Sequence, residues 1–102
     1  MPKIKSEYDD LDKYKYSNGD IIYCKKNTNL RHNPYGPAVI FKNRSIIYYI
    51  ENEYHRLDGP AIIWSSGEED YYINNKRLSK EEFKVHPERL KFIGKGYLIC
   101  LK

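Results

Sequence analysis

His55, Arg56 and Asp58 fall within one short line of the chain, Tyr54-His55-Arg56-Leu57-Asp58-Gly59-Pro60-Ala61-Ile62-Ile63-Trp64. An imidazole, a guanidinium and a carboxylate this close together suggest acid–base chemistry, in which the imidazole moves a proton and its neighbours tune its pKa. Ser65 and Ser66 follow as candidate nucleophiles, and His32, His55 and His86 are candidate metal ligands. Spacing argues against each chemistry. The serines sit in a Ser-Ser-Gly turn, not in a nucleophile elbow. No two histidines stand at i,i+2 or i,i+4, the spacings that aim two imidazoles at one metal. There is no glycine-rich phosphate loop. Cys24 and Cys100 lack zinc-ligand spacing and are too few for a disulfide framework. No catalytic residue, metal site or cofactor is therefore expected.

The same line occurs earlier, and it has lost the chemistry. Arg31-His32-Asn33-Pro34-Tyr35-Gly36-Pro37-Ala38-Val39-Ile40-Phe41 matches it at a spacing of 23 residues, with Asn33 and Tyr35 where Arg56 and Asp58 stand. The matches continue through Tyr48-Tyr49-Ile50 against Tyr71-Tyr72-Ile73, and Asn52 against Asn75. A period in this range is the mark of stacked units. The repeat-motif residues His32, Gly36, Pro37, His55, Asp58, Gly59 and Pro60 read as scaffold. Asp58 suits a turn, Gly59 an unusual φ, Pro60 the start of a strand, and His55 a hydrogen bond to a neighbouring loop. Ser17 to Asn27 resembles Ser65 to Asn75 and reads as a degenerate first unit, as terminal repeats are.

Each unit reads as two short strands rich in β-branched and aromatic residues, joined by a tight turn. The expected fold is mainly β: an antiparallel meander of stacked hairpin repeats with a short C-terminal capping helix. Strands are expected near 21–26, 37–42, 45–51, 60–65 and 69–74. Ser79 followed by Glu82 is a capping box, which predicts a helix from about Lys80 to His86. The run after Pro87 is read as one or two last strands, with Gly94 and Gly96 marking a turn. A single domain is expected over 1–102, with 1–15 a partly ordered segment, 16–78 the hairpin repeats, and 79–102 the helix and terminal strand or strands.

The quoted lines resemble the His-Arg-x-Asp-Gly-Pro-Ala repeats of large DNA viruses and bacteriophages, which are similar to MORN repeats. The resemblance covers roughly Asp20 to Phe83, and Asn33, Pro34 and Tyr35 depart from it. It implies stacked β-hairpins, a viral type of protein, and protein or lipid contacts in place of catalysis.

The chain has 102 residues, 11 of them Tyr, and a net charge of +4. Tyr packs one face and keeps a hydroxyl for a partner, so half-buried sheet faces are expected. The basic excess lies in residues 24–56, with six basic and two acidic side chains. The leading functional expectation is a non-catalytic module that binds a protein partner, host or viral, through an aromatic sheet face. Phe41, Tyr48, Trp64, Tyr71, Arg44, Lys42 and Arg56 are its candidate binding residues, because aromatics and Arg dominate contact hot spots. The alternative is single-stranded nucleic acid stacked on Phe41, Tyr48 and Tyr71 and neutralised by Lys25, Lys26, Arg31, Lys42, Arg44 and Arg56. Open sheet edges also invite homo-oligomers. No apolar leader or membrane-length run is seen, so an intracellular place, host cytoplasm or virion, without membrane insertion, is expected, with both thiols free.

Overall fold

The turns set the frame. In the computed structural model, which describes the backbone of residues 2–100 and the side chains of residues 2–94, Gly19 and Gly67 take φ of +101° and +95°. Each donates its N–H three residues back, to the carbonyls of Tyr16 and Trp64 at 2.9 and 2.8 Å. At the other end of the sheet, Glu51-Asn52 and Asn74-Asn75 all have positive φ. Two consecutive residues of this kind make a type I′ hairpin, whose twist matches that of the flanking strands.

Ten strands result among the described residues: β1 Lys3–Ile4, β2 Leu11–Lys15, β3 Ile21–Lys25, β4 Val39–Ile40, β5 Ile46–Ile47, β6 Tyr49–Ile50, β7 Glu53–Tyr54, β8 Ile62–Ile63, β9 Glu69–Ile73 and β10 Lys76–Leu78. Eight of them form one antiparallel sheet in the order β1-β2-β3-β4-β5-β8-β9-β10, and β6 and β7 pair separately. The expected strand over 45–51 is interrupted at Tyr48, whose N–H turns to the carbonyl of Ala61 at 2.7 Å. Beyond that point the β6–β7 hairpin leaves the main sheet. The expected strands at 37–42 and 60–65 are likewise shorter than their sequence suggests.

One row of side chains makes the core. Ile22, Val39, Ile47 and Ile62 face one another across successive strands in register. Val39, Ile47 and Ile62 are buried, with Phe41, Tyr49, Tyr54 and Tyr72 packed around them. The rings of Tyr49, Tyr54 and Tyr72 form a column with centroids 4.8 Å apart at each step. Burial, then the hydroxyl of Tyr54 beside it, pushes the Tyr49 phenol up to about 12, so it stays neutral. By alternation Tyr23, Tyr48, Tyr71 and Ile73 lie on the opposite face. The radius of gyration, 14.8 Å, exceeds the ~12.8 Å of a compact domain this size, as a mostly single-layered sheet requires.

Two helices close the C-terminal side. Helix α1, Lys80–Lys84, opens on a complete capping box: the Ser79 hydroxyl accepts from the Glu82 N–H, and the Glu82 carboxylate accepts from the Ser79 N–H. Its Phe83 is buried, 4.7 Å from the ring of Tyr71.

One expectation is corrected here. The run after Pro87 is not strand but helix α2, Pro87–Cys100. Proline's fixed φ and missing N–H suit a first helical position, and His86 caps it: its carbonyl accepts from Leu90 at 2.9 Å and its Nδ1 accepts from Glu88 at 3.2 Å. Pro87 therefore ends one helix and starts the next. Gly94 lies inside helix α2, so it marks no turn. The N-terminal segment, expected to be ordered in part, contributes two strands. β1 and β2 belong to the main sheet, and Leu11 and Asp12 are buried. The Asp12 carboxyl is held below its usual range, first by the N–H of Asn27 at 2.9 Å and also by Lys3 at 3.1 Å. The Cys100 thiol lies outside the described residues; the Cys24 thiol is free and buried.

Candidate functional site

The His-Arg-x-Asp line and its earlier copy form one end of the sheet. His55 Nδ1 accepts from the N–H of Asn74 at 2.9 Å, and His32 Nδ1 accepts from the N–H of Glu51 at 3.0 Å. The Asn75 side-chain oxygen accepts from the N–H of Tyr54 at 3.2 Å, and the Asn75 backbone N–H donates to the Tyr54 carbonyl at 2.8 Å. Asn52 does the same with Arg31, at 2.7 and 2.8 Å. Each His and each Asn thus ties one loop to the next type I′ turn, and the ties recur 23 residues apart. Since Nδ1 is the acceptor in both, the proton of each neutral ring sits on Nε2.

Arg56 is fixed on all sides. Its Nε donates to Asp58 at 2.8 Å, its guanidinium donates to the carbonyl of Pro60 at 3.1 Å, and its Cζ lies 4.0 Å from the ring centroid of Tyr48. In the other copy Asn33 reaches the matching carbonyl, donating from Nδ2 to Pro37 at 2.9 Å, while its Oδ1 accepts from the N–H of Tyr35. The expected unusual φ at Gly59 is not found; its φ is not in the left-handed region. The residue is glycine because an added Cβ would stand 2.9 Å from Arg56 Cζ. A cleft of about 290 Å³ opens between the two loops, lined by Asn33, Tyr35, Tyr48, His55, Arg56 and, from α2, Phe92 among others. The imidazole Nδ1 is engaged with Asn74, and the guanidinium and the carboxylate with each other.

The opposite end carries the three tight turns. Lys42 donates its N–H to Asp20 at 2.9 Å, and Ser65 donates its N–H to the Ser45 hydroxyl at 2.9 Å, so the turns are linked in a row. The middle turn has Arg44, at φ +78°, where its neighbours have glycine. Its N–H bonds to the carbonyl of Phe41 at 2.9 Å. Phe41 and Trp64 extend the core row on either side of β5, two strands apart and therefore roughly 9–10 Å from one another. Phe41 is half-buried; Trp64 is 41% exposed, with its indole N–H donated to Asp70 at 2.8 Å.

The seven candidate binding residues therefore divide. Phe41, Lys42, Arg44 and Trp64 gather at the turn end. Tyr48, Arg56 and Tyr71 belong to the other face, where Arg56 covers Tyr48 and Phe83 covers Tyr71. Of the basic candidates, Lys25 pairs with Glu51 at 2.8 Å and Arg56 with Asp58. Lys26, Arg31, Lys42 and Arg44 form no ion pair among the described residues. Sequence reading missed the N-terminal aromatic contacts, in which Tyr8 stacks on Tyr35 at 4.8 Å and the Tyr35 hydroxyl donates to Asp10 at 2.8 Å. The many Tyr in the composition were the signal available.

Among the described residues no group of three or more His, Cys, Asp or Glu side chains is placed to hold a metal ion, and no helix is long and apolar enough to cross a membrane. Comparison with protein-family models, curated proteins and solved structures found no match.

Proposed function

We propose that the chain is a non-catalytic interaction module of viral type, built of MORN-like hairpin repeats, that binds a protein partner through the aromatic patch at its turn end. The observation that carries this reading is the display of Phe41 and Trp64 on one face beside Lys42 and Arg44. Aromatic and Arg side chains of this kind supply most of the energy at protein contacts. Arg44 adds weight, because a bulky residue at positive φ is a local cost that usually persists at functional positions. The repeat reading is supported by the recurrence of the His and Asn ties at 23 residues. The non-catalytic reading is supported by the engagement of His55, Arg56 and Asp58 within the scaffold. Host cytoplasm or virion is the proposed place of action.

Single-stranded nucleic acid is the second reading, on one observation: among the described residues Lys42 and Arg44 form no ion pair, and they share the turn end with Phe41 and Trp64, a combination of cations and rings that suits unpaired bases. The test is capture of a partner from infected-cell lysate, before and after nuclease treatment, by the native chain and by the Phe41→Ala/Trp64→Ala double variant. Capture that resists nuclease and is lost in the variant is expected. A titration with single-stranded RNA at ~50 and ~200 mM salt completes it. Tight binding that collapses at the higher salt would replace the protein reading by the nucleic-acid one.

A further inference from the structure

Beneath the C-terminal helices lies a second cleft, about 220 Å³, lined by Lys80 and Lys84 of α1, Arg89 of α2, Tyr71 and Phe83. Its cations are uncommitted. None of the three forms an ion pair among the described residues. The one acid of the lining, Asp58, already accepts from Arg56 Nε at 2.8 Å. Arg89 is held by a ring instead of a carboxylate: its Cζ lies 4.8 Å from the centroid of the buried Phe83. A guanidinium anchored through its face keeps its edge donors free to fork onto an oxyanion. Arg89 Nε is also buried with no acceptor, alone in this among the described residues. A buried donor without a partner is costly, and an acceptor from outside the chain would remove that cost.

We propose that this cleft is an oxyanion site that receives one phosphorylated side chain of a protein partner. The inference rests on the interaction-module reading for the nature of the partner. The chemistry favours a phosphate monoester over a carboxylate, because a doubly charged group with three acceptor oxygens matches two ammonium groups and a fork. It also favours a single group over a nucleic-acid backbone. Glu81 and Glu82 on α1, and Glu88 beside Arg89, are acids that a continuous chain of phosphates would meet. Glu69, which accepts from the Tyr71 hydroxyl at 3.3 Å, adds another.

The test is an NMR titration of the labelled full chain with a short peptide carrying one phosphoserine, the same peptide unphosphorylated, and a single-stranded oligonucleotide. Readouts are the Arg89 Nε–H resonance and the Gly59 and Lys84 amides. Saturable shifts with the phosphorylated peptide alone are expected, with the Nε–H signal moving as it gains an acceptor. Arg89→Lys keeps the charge and loses the fork, and should weaken binding by about tenfold or more; Lys84→Gln should weaken it independently. Unsaturable shifts, equal shifts with the unphosphorylated peptide, native affinity in Arg89→Lys, or tighter binding of the oligonucleotide through the same resonances would each overturn the proposal. Partner capture that survives Phe41→Ala/Trp64→Ala would instead overturn the aromatic-patch reading, and the peptide titration would stand unchanged.

Discussion

Gly59 and Arg56 occupy each other's space: a Cβ on the glycine would lie 2.9 Å from Cζ and 3.1 Å from an amino nitrogen of the guanidinium. The guanidinium is the mobile end of its side chain, so Gly59→Ala would be relieved by moving it. That movement would break its bonds to Asp58 and Pro60 and its contact with Tyr48. A loss of about 1–3 kcal/mol, the usual cost of overpacking, is expected. Gly36→Ala at the matching position should be nearly neutral, because its nearest neighbour, Asn33 Nδ2, is 4.0 Å away. Denaturant melts of both variants, and of Gly59→Ala in an Arg56→Ala background, check this. If the Gly59→Ala cost persists undiminished without the Arg56 side chain, the steric account is wrong.

Arg44 holds φ +78° in a turn whose two counterparts are Gly19 and Gly67. An L-residue in that region costs about 1–2 kcal/mol, and glycine returns part of the gain through its looser unfolded chain. Arg44→Gly is therefore expected to stabilise the fold by roughly 0.5–1 kcal/mol while weakening partner capture. A melting midpoint that falls on this substitution would show that the arginine side chain holds the turn in place.

The hairpin order was legible because turn chemistry is local. Ser17-Asn18-Gly19 and Ser65-Ser66-Gly67 declare their turns, and the 23-residue recurrence placed the strands between them. The helix after Pro87 was not legible. Leu90, Phe92 and Ile93 fit alternation as well as helical spacing, and Gly94 and Gly96 read as punctuation. What decides is the cap from His86, whose imidazole and carbonyl both act on the next turn. The N-terminal strands were hidden for another reason. Lys3, Asp12 and Lys13 look solvated in sequence, yet Asp12 is buried against Lys3 and the Asn27 amide, contacts that only the tertiary fold brings together. The candidate binding face was half legible. Alternation separates Phe41 and Trp64 from Tyr48 and Tyr71, but not which rings the helices and Arg56 cover.

His55 gives the fold a dependence on pH. Its pKa lies below the ordinary imidazole value of 6.5, chiefly because burial disfavours the charged ring. Glu53 and Glu88 oppose the shift, and His86 adds to it. The folded chain therefore binds fewer protons at this site than the unfolded chain as pH drops through 6.5 and toward the folded-state value. Stability from the neutral ring is fully present above 6.5 and is lost as pH falls through that window. Protonation of Nδ1 would also turn the acceptor of the Asn74 N–H into a donor, so the β9–β10 turn should loosen first. The check is thermal melting at about pH 7.5 and about pH 5.5, on either side of the ordinary value, with amide exchange at Asn74. The native chain is expected to melt lower at the acidic pH and to lose protection at Asn74. His55→Gln, which offers a neutral acceptor at both pH values, should melt lower than the native chain at pH 7.5 and show a smaller difference between the two. A pH difference equally large in that variant would assign the effect to the carboxylates.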